Sequence, residues 1–246
     1  MKRLLPRWTY LLLGGLLSLV QSNISAQFSY GTIGSTYTQD FTSLGTASIT
    51  IAGGDLGAFN AGVTGWYFSE TGTAANTTMT AGTGSSATGD SYHFGPAAST
   101  ERAIGGLFSG SLTPRFGFYL TNNTGQTISS LQIAYTGETW RIGATGRFDK
   151  LDFQYSTDAT SLTTGTWTDV DNLDYANVAA VSTGSGSMLQ SAPIGFTMTG
   201  LSITNGTTVF LRWNDFNATG SDDGMAVDDF SLIGTAAASI VVDETG

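Results

Sequence analysis

The chain has 246 residues, with 9 basic and 19 acidic side chains, one histidine and no cysteine. A formal charge of −10 repels phosphate backbones and weighs against nucleic acid as a partner, and the lack of cysteine rules out any disulfide framework. Charged residues are 11% of the chain and aromatic residues another 11%, a composition unlike that of disordered chains.

Lys2, Arg3 and Arg7, the apolar run Tyr10 to Val20 and the small residues up to Ala26 predict a secretory signal peptide over residues 1–26. The apolar run is shorter than the roughly 20 residues that span a bilayer. Removing residues 1–26 takes away three cations and no acid, leaving 6 basic against 19 acidic residues, a formal charge of −13. Export without cysteine fits a bacterial envelope or secreted protein, so the expected location is secreted or cell surface, with no membrane span in the mature chain.

Residues 27–35 read as a flexible or edge-associated lead-in. Thr36 to Phe41 alternates as the first strand, and Gly65 to Ser69 is a short aromatic one. Thr71 to Gly89, a Thr/Gly/Ser/Ala tract, predicts an exposed, mobile loop. From Ser91 onward strands recur: Tyr92 to Phe94, Ala103 to Phe108, Arg115 to Thr121, Thr127 to Thr136, Leu151 to Tyr155 and Thr166 to Val170. Thr121 to Gly125 has the composition of a hairpin turn. Asp171 to Ala192 is a second long connection, and residues 235–246 read as a tail or the start of a linker. No window in the mature chain sustains a 3.6-residue period. Short strands punctuated by turn residues predict an all-β, two-layer antiparallel sandwich of jelly-roll type over residues 36–234.

Thr207 to Leu232 reads as strand, acidic loop, strand, and five of the 19 acids fall between Asp215 and Asp229. Asp215, Asn217, Thr219 and Asp223 space oxygen donors around glycines, as calcium loops do. Ala226 stands where an EF-hand needs its bidentate Glu, and no helices flank the loop, so this is no EF-hand. In the closing strand, period-two alternation places Asp228 on one face with Ala226, Phe230 and Leu232. A carboxylate on a core face needs neutralising. The candidates are a structural Ca²⁺ shared with Asp40, or an arginine among Arg212, Arg141 and Arg102. The alternative for the loop is a solvated hairpin whose Asp and Asn cap turns.

Glu138 and Trp140 share a face in an extended strand, with Arg141 opposite. One reading is a ligand-binding sugar platform of Trp140, Glu138 and Arg141; the other is a core tryptophan beside a structural ion pair. Catalysis lacks its usual parts: His93 is the sole histidine, there is no Cys nucleophile, Gly-x-Ser-x-Gly elbow or phosphate loop, and Glu70, Glu101 and Glu138 are unpaired in sequence.

Glu101-Arg102-Ala103-Ile104-Gly105, Tyr135 to Arg141, Leu151 to Asp158 and Arg212-Trp213-Asn214-Asp215 through Asp228-Asp229-Phe230 together resemble a recurrent N-terminal β-sandwich domain of exported bacterial multidomain proteins. The order of features is also distantly similar to MAM-type and other concanavalin-like jelly rolls, which open on an acid–Phe pair (here Asp40-Phe41) and close on Ala-x-Asp-Asp. The resemblance implies a non-catalytic extracellular recognition or adhesion module, sometimes with structural calcium. The expected partner is a cell-surface or extracellular polysaccharide or protein. MAM domains carry disulfides and this chain has none, so receptor-type adhesion does not carry over. A carbohydrate-binding module is the alternative expectation, and a glycosidase-type enzyme a third.

Overall fold

The computed structural model describes residues 27–238; the expected signal peptide and the end of the tail lie outside them. In chain order the strands are β1 (Phe28–Tyr30), β2 (Thr36–Gln39), β3 (Ile49–Thr50), β4 (Trp66–Thr71), β5 (Thr78–Gly82), β6 (Asp90–Phe94), β7 (Ala103–Leu107) and β8 (Thr113–Asn122). They continue with β9 (Ile128–Ile142), β10 (Lys150–Ser156), β11 (Thr168–Asp169), β12 (Tyr175–Ala176), β13 (Gly184–Ile203), β14 (Thr208–Asp215) and β15 (Gly224–Ala236). Among the described residues one α-helical turn, α1 (Leu56–Phe59), is capped by Asp55, whose carboxylate accepts the Ala58 N–H.

The strands form two layers, as the alternation and turn pattern predict. One sheet runs β1-β8-β14-β10-β11, with β4 also on β8 and β12 on β10. The other runs β13-β9-β15-β7-β6-β5-β3, with β2 also on β15. Pairing is antiparallel except for β1 on β8 and β5 on β6. We refer to these as the first and second sheets.

Between the layers lies an aromatic core centred on Trp213, which is 0% exposed. Its ring stacks on Trp66 at 5.9 Å and Phe116 at 5.7 Å, and meets Tyr135, Phe153 and Phe230 edge-on at 5.1–5.9 Å. Trp66 and Phe116 belong to the same sheet as Trp213, while Tyr135 and Phe230 come from the facing one, so this side chain couples the two layers. Offset and edge-on contacts of this kind add to the transfer free energy of the buried rings.

Several sequence expectations change in the fold. The tract expected to be a mobile loop, Thr71 to Gly89, contains β5, which pairs with both β3 and β6. Most of the expected connection Asp171 to Ala192 is also structured, as a 3-10 turn, β12 and the first half of β13. Low side-chain complexity hid these strands because β13 is a half-exposed edge with little apolar alternation to show. Thr121 to Gly125 is not a hairpin turn: β8 and β9 belong to different sheets, and the buried Asn122 amide donates to the Gln126 and Ile203 carbonyls to shape the crossing. The segment before the expected first strand contributes β1, and the Tyr30 hydroxyl accepts the Gly234 N–H at 2.8 Å, tying the start of the domain to β15.

Replacing Trp213 by Ala removes the ring that both layers share and should cost about 3–5 kcal/mol, a large part of the stability of a domain this size. Urea denaturation checks it; a loss below about 1 kcal/mol, the range of an exposed position, would contradict the central role given to this residue.

Candidate functional site

Because β14 lies in the first sheet and β15 in the second, the acidic stretch 216–223 crosses from one layer to the other. A second crossing runs alongside it, from β9 in the second sheet to β10 in the first. The two meet closely: a Cβ on Gly143 would lie 2.4 Å from the Asp222 carbonyl oxygen, so only glycine fits there. Carboxylates clasp the crossings together. Asp223 Oδ1 accepts the Gly143 N–H at 2.6 Å, and the Asp223 N–H donates to Asp149 Oδ2 at 2.9 Å. The Asn177 amide joins both, accepting the Asp149 N–H at 2.8 Å and donating to Asp223 Oδ2 at 2.7 Å. Arg147 pairs with Asp149 at 3.2 Å and Asp223 at 3.4 Å, and donates to the Ser221 carbonyl.

Asp215 and Asp222 complete this cluster. The Asp222 carboxylate accepts the Ala218 N–H at 2.9 Å, and burial pushes its pKa up to about 6. Asp215 is 1% exposed and neither of its oxygens completes a hydrogen bond. Burial, then the charges of Asp149 and Asp222, drive its pKa well above the carboxylate range, with the Phe108 backbone N–H giving partial relief. Of the candidate calcium ligands, Asp215 and Asp223 are therefore brought together, whereas Asn217 and Thr219 are exposed on the outside of the loop. Arg147, Asp149 and Asn177 were not singled out by sequence reasoning, since nothing local marks two distant crossings as neighbours.

Asp228 and Asp40 stand elsewhere, which corrects the expectation that they share an ion. Asp229 adopts φ 48°, and the register between β15 and β9 slips between Asp228 and Ser231. This bulge reverses the facing of the strand. Met225 and Val227 before it, and Phe230 and Leu232 after it, all enter the core, while Ala226 and Asp228 point to the outer face of the second sheet. Asp228 therefore does not share a face with Phe230 and Leu232. It hydrogen-bonds to Glu101 and accepts the Asp229 N–H at 2.7 Å. Asp40 is exposed and caps a turn, its Oδ1 accepting from the Thr42 N–H and hydroxyl. It shares an open cleft with Asp229 instead. Of the arginines considered for Asp228, Arg102 donates to the Gly45 and Pro96 carbonyls, and Arg212 to Gln154 and the Leu162 carbonyl.

The expected sugar platform is also corrected. Trp140 is 5% exposed, stacked on Phe94 at 6.0 Å within a small outer cluster of the second sheet. The tract before β6 presses on it: Gly84 has φ +82°, and a Cβ there would lie 2.0 Å from the Trp140 carbonyl oxygen. Glu138 accepts the Trp140 indole N–H at 2.7 Å rather than pairing with Arg141, which lines a neighbouring groove. So Trp140 is a packed residue, the second of the two readings, without the ion pair. His93 is 0% exposed, and burial followed by the charge of Arg102 lowers its pKa to about 4.

The outer face of the first sheet presents a different surface. Strand register aligns Ser69, Arg115, Asn214 and Asp152 in one row, and Gly117, Arg212, Gln154 and Asp169 in the next. Apart from buried Gly117 and exposed Asp169, these residues are half-buried. Arg212 donates to Gln154 Oε1 through Nε at 2.8 Å and to the Leu162 carbonyl at 2.6 Å, and lies 3.8 Å over the Trp167 ring. Arg115 donates to the Thr71 hydroxyl at 2.9 Å. Burial and then Arg115 lower the Arg212 pKa to about 10, which leaves it charged at neutral pH. The side-chain amide oxygen Oδ1 of Asn214 is buried without a partner. Beside these rows Tyr67, Tyr119 and Phe210 are roofed by Ala159 and Leu162 from the following loop. The alternation of β10 and β14 would have marked Asp152, Gln154, Arg212 and Asn214 as facing away from Phe153 and Trp213, but not as adjacent.

No family model matches the chain, and no curated protein matches it. Among solved structures it is similar to the xylan-binding domain CBM22-1 of Paenibacillus barcinonensis Xyn10C, at 12% identity over 85% of this chain and 99% of that one, with a TM-score of 0.34. It is similar also to TmCBM61 in complex with β-1,4-galactotriose (10% identity, 55% and 71% coverage, TM-score 0.31) and to the α-L-arabinofuranosidase MgGH51 (12%, 85% and 30%, 0.37). Likeness at this level carries no argument about activity or ligand; the sandwich rests on the sheet pairing itself.

Asp228 generates a pH prediction. Burial, then its bond to Glu101, raises its pKa to about 9, against about 3.9 when unfolded. Between those values the folded state holds a proton that the unfolded state releases, so this group's contribution to stability falls as pH rises through that window. Asp228→Asn should therefore flatten the decline in melting temperature between pH 5 and pH 8. An unaltered pH slope in the variant would show that Asp228 is ionised in the fold.

Proposed function

We propose that this chain is a non-catalytic, exported recognition module that binds neutral polysaccharide along the outer face of the first sheet. The observation that carries this is the pair of polar rows: Ser69, Arg115, Asn214 and Asp152 beside Arg212, Gln154 and Asp169. Sugar hydroxyls both donate and accept, and these rows offer guanidinium and amide donors interleaved with carboxylate and amide acceptors. Rigid strands hold the groups at fixed spacing, and their half-buried state lowers the cost of ordering them on binding. The face also carries both signs of charge, Arg115 and Arg212 against Asp152 and Asp169, which suits a neutral ligand better than a charged one. Trp167, partly buried beside the rows and under Arg212, borders this face.

The use of these acids supports the non-catalytic reading: Glu101 and Asp228 are hydrogen-bonded to one another, as are Glu70 and Asp90, too close to flank a glycosidic bond. Among the described residues no helix is long and apolar enough to cross a membrane. In this reading the partner is an extracellular or cell-surface polysaccharide met after export, and any adhesive role follows from that binding.

Affinity electrophoresis and calorimetry against xylan, galactan, arabinan, mixed-linkage β-glucan and a polyuronate test the proposal. Binding to at least one neutral polymer is expected, weakened about tenfold or more in Arg115→Ala and Arg212→Ala, with both variants still melting cooperatively. Trp140→Phe, altered on the opposite sheet, should bind as the parent does. No binding to any neutral polymer, or undiminished binding in both arginine variants, would overturn it.

A further inference from the structure

We propose that Asp149, Asp215, Asp222 and Asp223, with the Ser221 carbonyl, form a calcium site at the sandwich edge, which the ion enters by displacing the Arg147 guanidinium. This inference is independent of the polysaccharide face. Its first support is the gathering itself: Asp149 and Asp223 are joined where the two crossings touch, by the Asp223 N–H and by Arg147, the one cation among the described residues that pairs with them, and the charges of Asp149 and Asp222 bear on Asp215. The second is Asp215. Its carboxyl is 1% exposed, has no well-formed hydrogen bond at either oxygen, gains relief only from the Phe108 backbone N–H, and feels the charges of Asp149, Asp222 and Asp223. A buried carboxyl so poorly satisfied costs free energy that a bound cation returns.

The contrast with another acidic group sharpens the point. Asp152, Asp169 and Asp174 converge within 4.8 Å, the one such trio among the described residues. But the Lys150 ammonium already bridges Asp152 at 2.7 Å and Asp174 at 2.8 Å, and Asp174 also accepts the Phe153 N–H. That group is satisfied. In the Asp215 group the Arg147 guanidinium reaches Asp149, Asp223 and the Ser221 carbonyl at once, and no ion pair among the described residues reaches Asp215. Arg147 belongs to the connection rather than a strand and retains 15% side-chain exposure, so it has a route to solvent. When it leaves, the oxygens it held become free to close on an ion.

The chemistry selects the ion. All the donors are oxygens, with no sulfur or imidazole, which favours a hard cation. Calcium accepts 6–8 oxygens at 2.3–2.6 Å in irregular geometry, whereas magnesium demands a near-ideal octahedron and keeps its waters. Carboxylates fixed by backbone amides, as Asp223 is by Gly143 and Asp222 by Ala218, cannot all reposition to an octahedron.

The test uses the full chain stripped with EGTA, followed by calorimetric titration and melting with CaCl₂ or MgCl₂. Calcium at a hundredfold excess over its Kd should raise the melting temperature by about 5–10 °C, with magnesium well behind. Asp215→Asn should fold at least as stably without metal, since it removes an unpaired acid, yet lose the calcium response. Arg147→Ala should lower the melting temperature in EGTA but bind calcium at least as tightly, because the competing cation is gone. Asp174→Asn should keep the full response. The proposal fails if calcium leaves the parent's melting unchanged, if Asp215→Asn binds as the parent does, if Arg147→Ala abolishes binding, or if Asp174→Asn does.

Discussion

The two layers of this domain are held in register at one edge by the reciprocal clasp of Asp149 and Asp223. Each takes backbone N–H groups from the other crossing or from its own start: Asp149 from Asp223 and Lys150, Asp223 from Gly143. A carboxylate that accepts main-chain amides does the work that strand pairing does elsewhere, where the chain has left one sheet and not yet entered the next. The requirement for glycine at position 143 is the steric counterpart of that clasp. Asn177 extends it to a third segment, so a single acidic edge orders the passages β9 to β10 and β14 to β15.

Each outer face of the sandwich is then given a separate character by register. On the second sheet, the bulge at Asp228 and Asp229 lets one strand bury Met225 and Val227 on one side of the irregularity and Phe230 and Leu232 on the other. The cost is a carboxyl turned outward against Glu101 and Glu138, on a face closed by Trp140, Phe94 and Tyr92. On the first sheet no such irregularity intervenes in β14 or β10, so alternation runs clean and the outward positions build uninterrupted polar rows. One face is therefore closed in part by an aromatic cluster, and the other carries half-buried polar rows. That difference is what sets the proposed binding face on the first sheet.

Much of the architecture was legible in the residues. Period-two alternation in Leu151 to Tyr155 and in Val209 to Trp213 marks their strands and their buried sides correctly, and the scarcity of helical periodicity matches a fold with one short α-helical turn among the described residues. The same rule misled at Asp228, because a bulge shifts the period by one residue and leaves no trace in composition. It also failed for β5 and the first half of β13, where Thr, Ser and Gly form strands whose pairing comes from neighbours rather than from an apolar stripe. The acidic loop was visible as an unusual density of oxygen donors, yet only Asp215 and Asp223 of the six expected ligands come together.

By itself the sequence determined an all-β sandwich, because alternation and turn chemistry are local properties carried by consecutive residues. It marked too an unusual density of acids between Asp215 and Asp229, since that density is written in the order of residues. Only the tertiary structure decided what meets them: the Arg147 guanidinium and the Asn177 amide donate to the Asp223 carboxylate, and the Asp223 N–H donates to Asp149, across 46 to 76 residues of chain. It alone decided that Trp140 is covered while Arg115 and Arg212 lie side by side, for adjacency between strands depends on sheet order. Sheet order is a property of the whole chain's closure, which no single window of residues contains.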